Sequence, residues 1–251
     1  MILTETAAAS YRSAARALLA TTSPIQELIS TYGNTHSYCN RQAIEIMAND
    51  GWREESRIAR QYEKEINEGS AWADQGWKNV GHYYNPAVGR GLSTWPSAVD
   101  EFSKYLKAAK QCIRDRKPGL AFFNLGAAAH LVQDLCVPHH SRNMILAGHM
   151  QYEKWVEKRA EDYLVDRGGV YEEGETAFER WAVENAAASY DWFTAVKTAS
   201  NRGFHLVTSI LLPQAQRSTA GFFQQFIKRV YLDTGDGTGN EFESCKECNS
   251  N

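Results

Sequence analysis

HLVQDLCVPHHSRNMILAGHMQYE, residues 130–153, sets the reading of this chain. His130 and Asp134 stand four residues apart, and so do His149 and Glu153. On a helix each pair projects from one face about one turn apart, close enough to share a metal ion. Pro138 cannot extend a preceding helix, so the chain should turn there and present His139 or His140 back toward the same space. A single histidine four residues from an acid is usually a solvated surface pair. Two such pairs flanking a proline turn with its own histidines point instead to two metal ions. Imidazole nitrogen with carboxylate oxygen and no thiolate is the ligand mix of catalytic zinc, whereas closed structural zinc sites are rich in cysteine.

Outward from this stretch the apolar periodicity is helical nearly throughout. Apolar residues recur at 3.6-residue spacing over 37–49 (Cys39, Ala43, Ile44, Ile46, Met47), 98–113 (Phe102, Tyr105, Leu106, Ala109, Ile113) and 119–135 (Phe122, Phe123, Leu125, Ala128, Ala129, Val132). Similar patterns fill 151–165, 176–190 and 204–232, the last interrupted at Pro213. No segment alternates for long enough to read as a strand. Residues 69–97, rich in Gly, Trp and Tyr, read as one long loop, and loops of that length in compact domains are usually functional. The expected fold is all-α, a single-domain helical bundle with a multi-metal cleft over residues 31–232. Residues 1–30 are expected to add an N-terminal helical extension and 233–251 a flexible tail.

The composition bounds the function. With 251 residues, 43% of them hydrophobic and 12% aromatic, the chain can bury a full core. Its net charge of -3 gives no global attraction to nucleic acid or to an anionic membrane. No apolar run approaches the roughly 18 to 20 residues of a membrane span, so a soluble protein is expected. The first 20 residues contain AARALLA but also Glu5, Arg12 and Arg16, which break any continuous apolar export-signal core; an amphipathic helix is expected there. Cys39, Cys112 and Cys136 fall in helical patterns and read as free thiols, while Cys245 and Cys248 form a lone CxxC in a polar tail, weak evidence for zinc.

The loop adds Asp74 in GSAWADQ and His82 in GHYYNP, and His36 opens the helix in YGNTHSYCNRQAIEIM. Taken singly, Asp74 reads as a turn or cap residue, His36 as a helix-start residue and His82 as part of an aromatic cluster. They become a constellation only alongside residues 130–153.

The ordered series His36, Asp74, His82, HxxxD at 130–134, His140 and HxxxE at 149–153 resembles the bacterial zinc-dependent phospholipase C family, which includes the catalytic domain of clostridial alpha-toxins. HYYNP at 82–86 and QAQRSTAGFF at 214–223 extend the resemblance, which runs from about residue 31 to 232. It implies one zinc held by Asp74, His82, His130 and Asp134, a second by His140, His149 and Glu153, and a third by His36 with Asp134 as a bridge. Two zinc ions are expected. The third stays open, because family members complete it with an N-terminal tryptophan and no tryptophan precedes His36 here. The spacing selects His140 over His139, so His139 and the unmatched His205 are expected to tolerate alanine. Gln75 stands where family members carry a tyrosine of the choline pocket, so choline specificity does not transfer; Trp77, Tyr83 and Tyr84 are candidates for a different aromatic box.

The resemblance implies hydrolysis of a phospholipid to diacylglycerol and a phosphorylated headgroup, with Asp74 orienting or deprotonating the attacking water. It also implies a monomer that meets its substrate at a membrane or micelle surface, in an extracellular setting, without nucleic acid as a partner. Zinc-dependent single-strand nucleases share this cage, and WAD at 72–74 is similar to their version of the loop; a nuclease is the alternative enzyme, although Glu153 stands where they usually carry Asp. A non-catalytic, zinc-stabilised binding domain is the third reading.

Overall fold

The computed structural model describes residues 35–233, apart from 173 and 175. The extension over 1–30 and the tail cysteines lie outside the described residues. Helix α1 spans Thr35–Asn49, α2 Arg53–Gln61 and α3 Glu63–Ala73, and a 3-10 helix follows over Gly76–His82. Beyond them come α4 (Ala98–Arg114), α5 (Pro118–Asp134), the single turn α6 (Pro138–Ser141), α7 (His149–Glu157), α8 (Glu179–Tyr190), the short α9 (Phe193–Val196) and α10 (Asn201–Phe226). The architecture is all-α. Among the described residues no strand forms beyond one isolated bridge between Asn85 and Arg90, and no helix is long and apolar enough to cross a membrane.

The central element is α5. Pro118 opens it at a position where a missing N–H costs nothing, and Phe122, Leu125 and Leu131 are fully buried. α3 and α4 flank it, and α1, α8 and α10 close the bundle around it. α4 begins with a reciprocal cap: the Ser97 hydroxyl accepts from the Asp100 N–H while the Asp100 carboxylate accepts from the Ser97 N–H.

The crossing of α3 and α5 places the site. A Cβ on Gly69 would lie 1.9 Å from the Phe123 carbonyl oxygen, and one on Gly126 would lie 1.9 Å from that of Ile66. Only glycine allows backbones to approach so closely. The Ser70 hydroxyl donates to the Gly126 carbonyl at 2.9 Å and locks the contact. One turn further along both helices come Asp74, just past the end of α3, and His130 on α5.

Three sequence expectations change. Residues 69–97 are not one loop: α3 continues to Ala73, so Asp74 caps the end of a helix, a two-residue turn leads into the 3-10 helix, and the longer irregular stretch begins only after His82. Gly69 and Ser70 look like loop formers in isolation, but the helix crossing requires them. Pro213 does not interrupt α10, which runs unbroken through it and continues as a π-helix over Ile227–Leu232. Ser209, whose carbonyl Pro213 deprives of a partner, is on the exposed side, while Leu211, Leu212, Ala215 and Gln216 are anchored inside. The helix expected over 151–165 starts at His149 and stops at Glu157, with a 3-10 turn over Ala160–Tyr163. Cys39 and Cys136 are buried free thiols, and Cys112 is a partly buried one.

Candidate metal centre

The fold brings all eight sequence candidates together. His36 comes from the first turn of α1, Asp74 from the end of α3, and His82 from the end of the 3-10 helix. His130 and Asp134 close α5, His140 stands in α6, and α7 carries His149 and Glu153. They form three sets: His36, His130 and Asp134; Asp74, His82 and His130; His140, His149 and Glu153. Within each set the nitrogen and oxygen atoms lie within 4.8 Å of one another. Asp134 is central. Its Oδ1 is 3.4 Å from His36 Nε2, and its Oδ2 is 2.7 Å from His82 Nδ1, 3.2 Å from His130 Nε2 and 3.9 Å from His140 Nδ1.

The outer hydrogen bonds fix which imidazole nitrogens face inward as acceptors. A carbonyl oxygen can only accept, so the ring nitrogen beside it carries the proton. His82 Nε2 donates to the Ala73 carbonyl at 3.1 Å, leaving Nδ1 as a lone pair toward Asp134. His36 Nδ1 donates to the Gln133 amide oxygen at 2.8 Å, leaving Nε2 inward. His140 Nδ1 donates to the His82 carbonyl at 3.1 Å, and His149 donates to the Ile145 carbonyl. The inner Nε2 atoms of His140 and His149 then face each other at 3.1 Å, and Glu153 Oε1 is 3.3 Å and 2.8 Å from them. In the neutral tautomers so defined, lone pairs point at lone pairs and at carboxylates. Buried acceptors that converge in this way need a cation or added protons between them, and outer-shell oxygens that set the tautomer are a regular feature of metal-binding histidines. The nitrogen and oxygen donors fit zinc.

The electrostatics agree. Burial pushes the Asp134 carboxyl up, but His130 and His140 outweigh it and hold the group well below the usual carboxylate range. Glu153 is likewise lowered against burial, chiefly by the neighbouring His149 and then by His140. Asp74 goes the other way: burial and the nearby Asp134 raise it despite His82 and His36. His36 is lowered to about 4, chiefly by burial and then by His130.

His139 turns away from this cluster, as the spacing from Asp134 suggests. It is fully buried, stacks on His149 with ring centroids 4.8 Å apart, and donates from Nε2 to the Ala147 carbonyl at 3.0 Å. Tyr83 is also buried: it stacks on His140 at 4.7 Å and its hydroxyl is 3.5 Å from His149 Nδ1, so it supports the His140 and His149 rings instead of forming an aromatic box at the surface. Tyr84 packs against the core. His205 is exposed and partners the Tyr163 hydroxyl at 2.6 Å, apart from the cluster.

Sequence reasoning missed Gln133 and Asn40. Gln133 Nε2 donates to Asn40 Oδ1 at 2.9 Å and to the Thr219 hydroxyl at 3.2 Å, while Asn40 donates to Asn67 and Ser70. This buried chain ties His36 to three helices. Its signal was present: Asn40 is one turn after His36, and Gln133 directly precedes Asp134.

The cleft over the cluster has an apolar wall that includes Val137, Ile145, Met150, Leu211 and Leu212, and among its described lining residues Lys154 is the sole lysine or arginine. Such a site can hold a group with an apolar body next to a phosphate, and it offers no basic track for a polyanion.

The sequence profile of the family described as zinc dependent phospholipase C matches residues 35–210. A phospholipase C of Paraclostridium bifermentans is 25% identical over 83% of this chain and 63% of its own length. One from Bacillus cereus is 27% identical over 76% of this chain and 80% of its own. The alpha toxin from Clostridium absonum has a similar fold, with a TM-score of 0.70 at 21% identity, covering 85% of this chain and 66% of the toxin chain. The present chain thus spans less than two thirds of the Paraclostridium and Clostridium proteins.

Proposed function

The chain belongs to the zinc-dependent phospholipase C family, and from that premise we propose that it is a zinc-dependent phosphodiesterase that cleaves phospholipids to diacylglycerol and a phosphorylated headgroup. The observation that carries this reading is the set of inward-facing imidazole lone pairs converging on Asp134 and Glu153 beneath an apolar cleft wall. Asp74, His82, His130 and Asp134 would hold one zinc, and His140, His149 and Glu153 a second, with His36 and Asp134 available to a third. Zinc bound there supplies a nucleophilic water at neutral pH and neutralises the phosphate charge.

The chain's own residues do the rest. Asp74 takes the proton of the attacking water: it lines the cleft, and its carboxylate lies within 4.8 Å of ring nitrogens of His82 and His130. Asp134, held as a carboxylate, keeps the two halves of the cluster together through its two oxygens. Val137, Ile145 and Leu211 exclude water beside the reacting phosphate and accept the glycerol end of the lipid.

The test is a parallel assay of zinc-loaded protein on mixed phospholipids and on single-stranded DNA, with and without chelator. Release of diacylglycerol and phosphorylated headgroup, sensitive to chelation, is expected. Hydrolysis of the DNA with no lipid product would overturn the lipid reading in favour of a nuclease.

A further inference from the structure

We propose that two neighbouring loops at the mouth of the cleft, residues 85–90 and 142–148, form an apolar rim, with Arg90 at its edge, that docks the protein on a lipid surface. The inference rests on the phospholipid reading of the cleft. Large apolar side chains scattered singly over a surface need no explanation, but these are not scattered. Of the nine large hydrophobic side chains that the described residues leave exposed, Val88, Met144, Leu146 and Met150 lie on these loops or directly beside them, and Leu146 at 64% and Val88 at 62% are the most exposed of all.

The loops are joined and held in shape. Asn143 donates to the Arg90 carbonyl at 3.1 Å and to that of Gly91 at 3.0 Å, which ties the second loop to the first. Met144 N–H donates to the His139 carbonyl at 2.9 Å, and His139 Nε2 donates to that of Ala147. Asn143 and Ala147 have positive φ values of 54° and 60°, a conformation that non-glycine residues rarely adopt and that these hydrogen bonds hold in place. A loop fixed this firmly with Leu146 pointing to solvent gains nothing for its own stability from that side chain.

The rim is continuous with the site. Ile145 and Met150 line the cleft itself, so one face of the second loop is cleft wall and the other is rim. NPAVGR and RNMILAG contain no acidic residue, in a chain whose net charge is -3; Arg90 is exposed at the rim, while Arg142 is partly buried and stacks on the Tyr190 ring at 3.7 Å. Apolar side chains beside an exposed cation suit the boundary of acyl chains and phosphates, and a phospholipid lifted from that boundary would reach the cluster without crossing water.

The experiment uses the full zinc-loaded chain carrying Val88→Glu and Leu146→Glu together, with Leu120→Glu as an exposed control at the opposite end of α5 from Asp134. Binding is read by sedimentation with vesicles of a phosphonate analogue of phosphatidylcholine, in which a CH2 replaces the glyceryl oxygen. Hydrolysis is read on phosphatidylcholine and phosphatidylethanolamine, both as vesicles and as short-chain monomers below their micelle concentration. The double variant should bind vesicles and hydrolyse them about tenfold more weakly or worse, with unchanged turnover of monomers, while the control matches wild type. Wild-type vesicle binding by the double variant overturns the proposal, as does a wild-type protein that does not sediment with vesicles, or a dimer that the two substitutions dissociate. If rim-dependent binding is seen but neither lipid is hydrolysed in any form, the phospholipase reading fails and the rim stands. If monomers are hydrolysed and the rim variants behave as wild type on vesicles, the reverse holds.

Discussion

Gln133→Leu isolates the support of the centre from its ligands. Leucine fills a similar volume but removes an acceptor from His36 and two donors, one to Asn40 Oδ1 and one to the Thr219 hydroxyl. Thr219 keeps its own donation to the Ala215 carbonyl at 2.7 Å, so the acutely affected group is the Asn40 amide, in a residue with no exposed surface. An unsatisfied buried acceptor costs about 1–3 kcal/mol, and the lost hydrogen bonds add about 1 kcal/mol. At about 2–4 °C per kcal/mol for a domain of this size, the melting temperature of the metal-free protein should fall by roughly 4–16 °C. His36 also loses the oxygen that orients its ring, and loss of such outer partners typically lowers metal affinity or activity about 10- to 100-fold. Calorimetry of chelated protein and zinc titration monitored by activity separate the two effects. A variant that melts within about 1 °C of wild type and binds zinc as tightly would refute the argument that this chain of amides holds His36 in place.

Other perturbations address single residues. Asp74→Asn keeps an oxygen near the cluster but removes the base, so turnover on a soluble short-chain phospholipid should fall about 10²- to 10⁴-fold with zinc content retained; a residue that merely ended α3 would give wild-type rates. His140→Ala should abolish activity. His139→Ala should spare the chemistry but, because the ring is buried against His149 and Phe193, should destabilise the fold by about 2–4 kcal/mol, measured by denaturant unfolding, so the tolerance expected from spacing alone holds for activity and not for stability. At Asp50, burial raises the carboxyl, but hydrogen bonds from Gly168 N–H, Gly169 N–H and the Tyr171 hydroxyl outweigh it and lower the group below its ordinary value of 3.8. A lowered folded value contributes stability above the unfolded value and loses it as pH falls through the folded one. The stability gap between wild type and Asp50→Ala, read from denaturant midpoints, should therefore be flat from pH 5 to 8, about the neutral range, and shrink below about 3.8. A gap that persists unchanged into that acid range would contradict the assignment.

Much of the candidate site was legible in the sequence because its candidate ligands are paired at helical spacing. His130 with Asp134 and His149 with Glu153 declare their shared faces through local geometry alone, and the proline turn accounts for His140. The long helices were legible for the same reason, since α4 and α5 bury continuous apolar stripes. What was illegible depended on contacts distant in sequence. Gly69 and Ser70 look like loop residues until Gly126 lies against them, 57 residues after Gly69. Pro213 looks like a break until the side of α10 that it faces is known. Tyr83 looked like a surface aromatic because no local pattern tells that His140 will stack on it. Gln133 is a polar residue inside an apolar helix, and only the position of Asn40 on another helix explains why it is there.

The most direct test of the account is stoichiometric restoration of hydrolysis. Protein stripped of metal by chelation is titrated with zinc while cleavage of a monomeric short-chain phospholipid is followed. Activity absent at the start and rising to a plateau at two or more equivalents per chain is the predicted result. Undiminished hydrolysis by the stripped protein, or a plateau reached below one equivalent, would contradict it.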